Sequence, residues 1–136
     1  MDDPLRPQGG FADLVGYRLA GWREAEAELT LAVEARHLNR GGVLHGGVLT
    51  TLIDTACSYA GCYTPEGATP RRAFTLSLTC QFIASVEAGA VLTARAERSG
   101  GGRQVFFARC DVRDQDGRLI GQGDGVHRYR STDSVT

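Results

Sequence analysis

Residues 41–65 read GGVLHGGVLTTLIDTACSYAGCYTP, and the recurrence of apolar residues within this stretch decides the fold. From His45 to Cys62, the residues Leu49, Leu52, Ile53, Ala56, Cys57 and Ala60 recur at intervals of three and four, as on the buried stripe of an α-helix. Thr64-Pro65-Glu66-Gly67 ends the run. On either side the period is two. Ahead of it, from Glu24 to Glu34, Ala25, Ala27, Leu29, Leu31 and Val33 fall on one face of a strand. Behind it, after Pro70, Phe74, Leu76, Leu78, Cys80 and Phe82 face one way, and Thr75, Ser77, Thr79 and Gln81 the other. Further strands are expected over about Ala90–Ser99, Gln104–Arg113 and Leu119–Tyr129, divided by the turn signals Ser99-Gly100-Gly101-Gly102 and Asp114-Gln115-Asp116-Gly117. A strand or two, one long helix and then four strands predict an α+β domain, with the helix packed on an antiparallel sheet.

The 136 residues suit one domain, and 42% hydrophobic with 23% charged residues can form a packed core. Residues 1–10, with two prolines and two glycines, read as a flexible leader, 11–130 as the single domain and 131–136 as a flexible tail. Phe11 to Val15 is long enough for one helical turn. Fifteen basic against sixteen acidic residues leave a net charge of -1, so no overall positive field exists for nucleic acid. All the basic residues are arginine, which excludes a P-loop lysine, a Schiff-base lysine and a lysine general base. The N-terminus has no basic start and apolar run, and no stretch of about 18 apolar residues follows, so neither export nor a membrane partner is expected and the cytoplasm is the default compartment. Cys57, Cys62, Cys80 and Cys110 lack CxxC spacing and read as buried thiols; with only His37, His45 and His127 to add, no metal site is expected.

Asp54 is the only formally charged residue between Arg40 and Glu66, and it falls in the middle of the long helix. A carboxylate there needs hydrogen-bond donors on the polar edge of the helix, or a cleft in which its reactivity is useful. Gly46 and Gly47 fall where the helix begins, with unshielded amides at the positive end of the dipole. Such amides suit a carbonyl oxygen that becomes negative during acyl transfer, although glycines there also let a neighbouring backbone approach closely. Eight residues separate Gly46 from Asp54. On one helix that is about 12 Å along the axis, too far for one reacting carbonyl to touch both. A catalytic reading therefore predicts a dimer, in which the amide of one subunit faces the carboxylate of the other.

The run His37-Leu38-Asn39-Arg40-Gly41-Gly42-Val43-Leu44-His45-Gly46-Gly47, followed by Asp54, resembles the H-x-N-x-x-G-x-x-H-G-G signature of hotdog-fold acyl-CoA thioesterases of the phenylacetate-pathway type. The one departure is the doubling of the intermediate glycine as Gly41-Gly42. The resemblance covers roughly residues 11–130 and implies a hotdog fold, a long central helix wrapped by an antiparallel sheet of five to six strands. It implies an activity too: hydrolysis of an aryl- or medium-chain acyl-CoA to the free acid and coenzyme A, with no cofactor, by a homodimer or a homotetramer built from it. By the same resemblance, the amide of Gly46 polarises the carbonyl, and Asp54 of the partner activates water or attacks directly. Asn39 helps to hold the water or thioester, and His45 precedes the oxyanion glycine. Ser58 and Thr75 are both candidates for the hydroxyl that positions the water. Candidate substrate contacts are Gly47, the aromatic Tyr59 and Phe82 for the acyl group, and Arg98 and Arg103 for the coenzyme A phosphates. The alternative to catalysis in this cleft is a non-catalytic acyl-CoA sensor, and a third reading is a hydratase or dehydratase on the same fold.

Two stretches imitate other sites. Gly121-Gln122-Gly123-Asp124-Gly125 looks like a phosphate loop but lacks a following helix, and reads as an edge or closely packed final strand. Asp114-Gln115-Asp116-Gly117 lacks the remaining ligands of a calcium loop and reads as a hairpin turn.

Overall fold

In the computed structural model, which describes residues 3–131, the alternating segments become six strands. They are β1 (Arg18–Arg23), β2 (Glu26–Ala32), β3 (Ala73–Phe82), β4 (Val91–Gly101), β5 (Val105–Arg113) and β6 (Leu119–Tyr129). A short helix α1 (Phe11–Val15) precedes them, and the long helix α2 (Gly46–Gly61) joins β2 to β3. The strands form one sheet in the order β1-β2-β4-β5-β6-β3, and every neighbouring pair is antiparallel. Successive hairpins place β4, β5 and β6 side by side, whereas β3 leaves α2 on the far side and closes the sheet beside β6. This is the helix-in-sheet arrangement of the hotdog fold.

The sheet curves around α2 because both elements have one apolar face to bury. Leu52, Ile53, Ala56 and Cys57 on α2 are fully buried against Leu29, Leu92, Ala94, Phe106, Val112 and Ile120 of the strands. Each fully buried leucine or isoleucine contributes about 1.5–3 kcal/mol. Close contact with β6 depends on its glycines: a Cβ on Gly121 would lie 2.5 Å from Leu49 Cδ2, and one on Gly123 would lie 2.8 Å from Ile53 Cγ2. The glycine-rich stretch is thus a packing face. It is not an edge, since β6 lies between β5 and β3.

Three local features depart from simple alternation. Strand β1 carries an irregularity between Leu19 and Gly21, which erases its two-residue signature. Ala25 leaves the inner face expected of it and turns the β1–β2 hairpin at φ 67. Strand β3 has a bulge between Thr75 and Ser77, so the extra residue Leu76 shifts the phase. Phe74 and Leu76, expected on the buried face, are 50% and 52% exposed. Thr75, itself exposed, faces α2 in their place.

The N-terminal segment makes contacts from Asp3 onward: the Tyr59 hydroxyl donates to the Asp3 carboxylate, and Arg6 pairs with Asp13 at 2.7 Å. The tail lies outside the described residues apart from Ser131. Among the described residues, no helix is long and apolar enough to cross a membrane, and no cluster of ligating side chains could hold a metal ion.

Candidate active site

The start of α2 is organised by its own loop. His37 is buried, receives the amide of Glu34 on Nδ1 and donates from Nε2 to the Val15 carbonyl, while its own carbonyl accepts the amide of His45. Asn39 holds the turn that follows, its Oδ1 accepting from Gly41 N at 2.8 Å and Val43 N at 3.3 Å. Its amide nitrogen remains at the exposed surface. His45 is the N-cap, and its Nδ1 accepts the Gly47 amide at 2.8 Å. The amides of Val48 and Leu49 turn to the His45 carbonyl. Of the first amides of the helix, that of Gly46 is left with no acceptor among the described residues. Gly47, expected to meet the substrate, has its amide occupied by His45. The ring of Phe82, 61% exposed, lies beside Gly46, with Cε1 3.3 Å from the position of a Cβ there.

Two turns further along α2, half-buried Asp54 enters no ion pair among the described residues. Its Oδ1 accepts a hydrogen bond from the Thr75 hydroxyl at 2.6 Å, short enough to be charge-assisted. Oδ2 accepts none among the described residues. The bulge in β3 is what delivers Thr75 to this place. Ser58, the other candidate hydroxyl, makes no hydrogen bond to Asp54 among the described residues. Cys57 supplies no competing nucleophile, since burial, reinforced by the carboxylates of Asp54 and Asp124, pushes its thiol up to about 12.

One residue that the sequence does not single out joins this group. His127 of β6 pairs in register with Thr75, is fully buried, and places Nδ1 3.4 Å from the Thr75 hydroxyl. Its ring stacks on Phe106 with centroids 5.0 Å apart. Burial lowers the imidazole below its ordinary value, and the Asp54 carboxylate pulls it part of the way back. Nothing marks this histidine as one of interest before its strand is laid beside β3.

The remaining expected contacts lie elsewhere in the single chain. Tyr59 sets its ring edge-on to Trp22 at 5.5 Å and its hydroxyl on Asp3. Arg98 and Arg103 sit at the β4–β5 hairpin, where Arg98 donates to the Gly102 carbonyl at 3.3 Å. This hairpin adjoins the end of α2 opposite Gly46, since Phe106, just after it, packs against Gly61. A groove of about 990 Å³ lies on the outer face of the sheet, away from α2. Its charges are paired with each other, as in Arg109–Glu97 at 2.6 Å, and none of Asn39, His45, Gly46, Gly47, Asp54, Thr75, Phe82 and His127 lines it.

Comparison with known proteins identifies the family and the fold. Residues 41–120 match the Thioesterase superfamily. Mouse acyl-coenzyme A thioesterase 13 is 33% identical over 94 residues, which span 68% of this chain and 65% of that protein. Among solved structures, thioesterase HI1161 from Haemophilus influenzae superposes with a TM-score of 0.82 at 25% identity, covering 94% of this chain and 87% of its own. The PaaI protein from the phenylacetic acid degradation operon of E. coli superposes with a TM-score of 0.78, also at 25% identity, covering 88% of this chain and 83% of its own.

Proposed function

The chain belongs to the thioesterase superfamily and is a thioester hydrolase, and from that premise we propose that it cleaves an aryl- or medium-chain acyl-CoA at a site shared by two copies of the chain. The observation that carries this reading is the pairing, on one helix, of an amide at Gly46 and a carboxylate at Asp54 that have, among the described residues, no acceptor and no cationic partner respectively. The amide, at the positive end of the α2 dipole, is a preorganised donor for the carbonyl oxygen as it becomes an oxyanion. Asp54, with Oδ1 held by Thr75, keeps Oδ2 for the other half of the chemistry. It takes a proton from a water that attacks the carbonyl carbon, or it attacks the carbon itself. In either route the C–S bond breaks as the tetrahedral intermediate collapses, and the coenzyme A sulfur leaves and is protonated; direct attack leaves an acyl-aspartyl anhydride, which a water then hydrolyses to the free acid and the restored carboxylate.

The same spacing calls for the second copy. About 12 Å of helix axis separates Gly46 from Asp54, so the donor and carboxylate that meet one thioester come from different chains. The outer edge of β3 is unpaired in the sheet, and it is flanked by exposed Phe74, Leu76, Phe82 and Ile83. An exposed apolar edge strand is a natural place for a second copy to continue the sheet. Twofold pairing there would run two α2 helices antiparallel and build two sites.

The test is thiol release from a panel of aryl and aliphatic acyl-CoAs, with Asp54→Asn run beside the unmodified protein. Release that falls by about 10²–10⁴ in the variant supports the reading. Binding of the same compounds with no release would replace it with an acyl-CoA sensor, and equal release from the variant would remove Asp54 from the mechanism.

A further inference from the structure

We propose that His127 is a positioning residue for this hydrolysis, holding Thr75 against Asp54 by donating a hydrogen bond from Nδ1 to the Thr75 hydroxyl. The inference rests on the thioesterase reading for its consequence, but on hydrogen-bond accounting for its geometry. A threonine hydroxyl has one hydrogen to give. Thr75 gives it to Asp54 at 2.6 Å, so its oxygen faces His127 Nδ1, 3.4 Å away, with lone pairs only. A bare Nδ1 there would set lone pair against lone pair, whereas Nδ1–H completes the chain from His127 through Thr75 to Asp54.

The other ring nitrogen agrees. Nε2 is buried and has no hydrogen-bond partner among the described residues. It packs over the Cα of Gly125, where a Cβ would come within 2.5 Å of it. A buried N–H without an acceptor loses its hydration for nothing, and a bare ring nitrogen in the same place is the less costly tenant. Both nitrogens thus select the Nδ1–H tautomer, and stacking on Phe106 fixes the plane of the ring. The effect on the reaction is indirect. With its oxygen held by His127, the hydroxyl cannot swing away from Asp54, and Oδ1 stays occupied while Oδ2 does the chemistry.

Two measurements test this. Nitrogen-15 NMR of the imidazole rings reads the tautomer without reference to activity, and with three histidines in the chain the signals of His127 are identified by their loss in His127→Leu. The Nδ1–H tautomer at neutral pH is the expected result, and a dominant Nε2–H tautomer overturns the proposal even in a protein that hydrolyses thioesters. In kinetics, His127→Leu should lower kcat about 10-fold, the worth of one such hydrogen bond, with KM little changed. His127→Asn, whose side-chain nitrogen can occupy the place of Nδ1, should recover most of that loss. In a Thr75→Val background the same His127→Leu change should cost nothing further. A loss of equal size in both backgrounds means that the histidine only supports the core and overturns the proposal. If no acyl-CoA is cleaved, the functional reading fails by itself while the NMR result still decides the hydrogen bond.

Discussion

Gly46 can lose its amide hydrogen with little disturbance to its backbone. It is the first residue of α2, the position at which proline is most at home in a helix, and His45 before it has φ -66 and ψ 133, a conformation that a following proline accepts. The nearest atoms to the added Cβ belong to Phe82, an exposed ring that can move. Gly46→Pro should therefore fold and keep the assembly state of the unmodified protein while kcat falls by about 10²–10³, the usual cost of one oxyanion donor; Gly46→Ala, which keeps the amide, separates the lost donor from the added carbon. Retained activity in Gly46→Pro would assign the oxyanion to another group. Gly46 and Asp54 are legible in the sequence because a glycine pair at a helix start and a lone carboxylate on an apolar helix are local facts. His127 is not, since its neighbours Thr75 and Phe106 come from two other strands and no spacing along the chain announces them.

At the scale of elements, the helix is the best-written part of the sequence. Its stripe of Leu49, Leu52, Ile53, Ala56, Cys57 and Ala60 is the stripe that the structure buries. The strands are legible in number and less so in phase, because a bulge is a matter of register between two strands. In β3 one extra residue moves Phe74 and Leu76 out and turns Thr75 to face α2, and that shift is what brings the hydroxyl to Asp54. Strand β6 shows the converse, a run that imitates a ligand loop yet serves packing. Gly123→Ala places a methyl 2.6 Å from the Thr79 carbonyl and 2.8 Å from Ile53 Cγ2, so the helix or strand must shift. Its expected cost is about 1–3 kcal/mol, measured as a lowered denaturant midpoint at unchanged slope. An unchanged midpoint would mean that the helix-to-sheet spacing has slack the packing does not show.

At the scale of the whole molecule, the proposed site needs a second copy of the chain. One copy carries an amide at the start of α2 and a carboxylate two turns on, with an apolar edge strand beside them, and the groove of about 990 Å³ lies on the opposite, charged face of the sheet. Two copies joined along β3 would bring each amide to the other chain's carboxylate. The most direct test of this account uses two chains that are each inactive, Gly46→Pro and Asp54→Asn, carried on different tags and purified as the mixed dimer. In that dimer one site has both lesions and the other has neither, so thiol release from acyl-CoA should return to about half that of the unmodified dimer. If the mixed dimer is as inactive as its parents, the donor and the carboxylate act within one chain and the shared site is wrong.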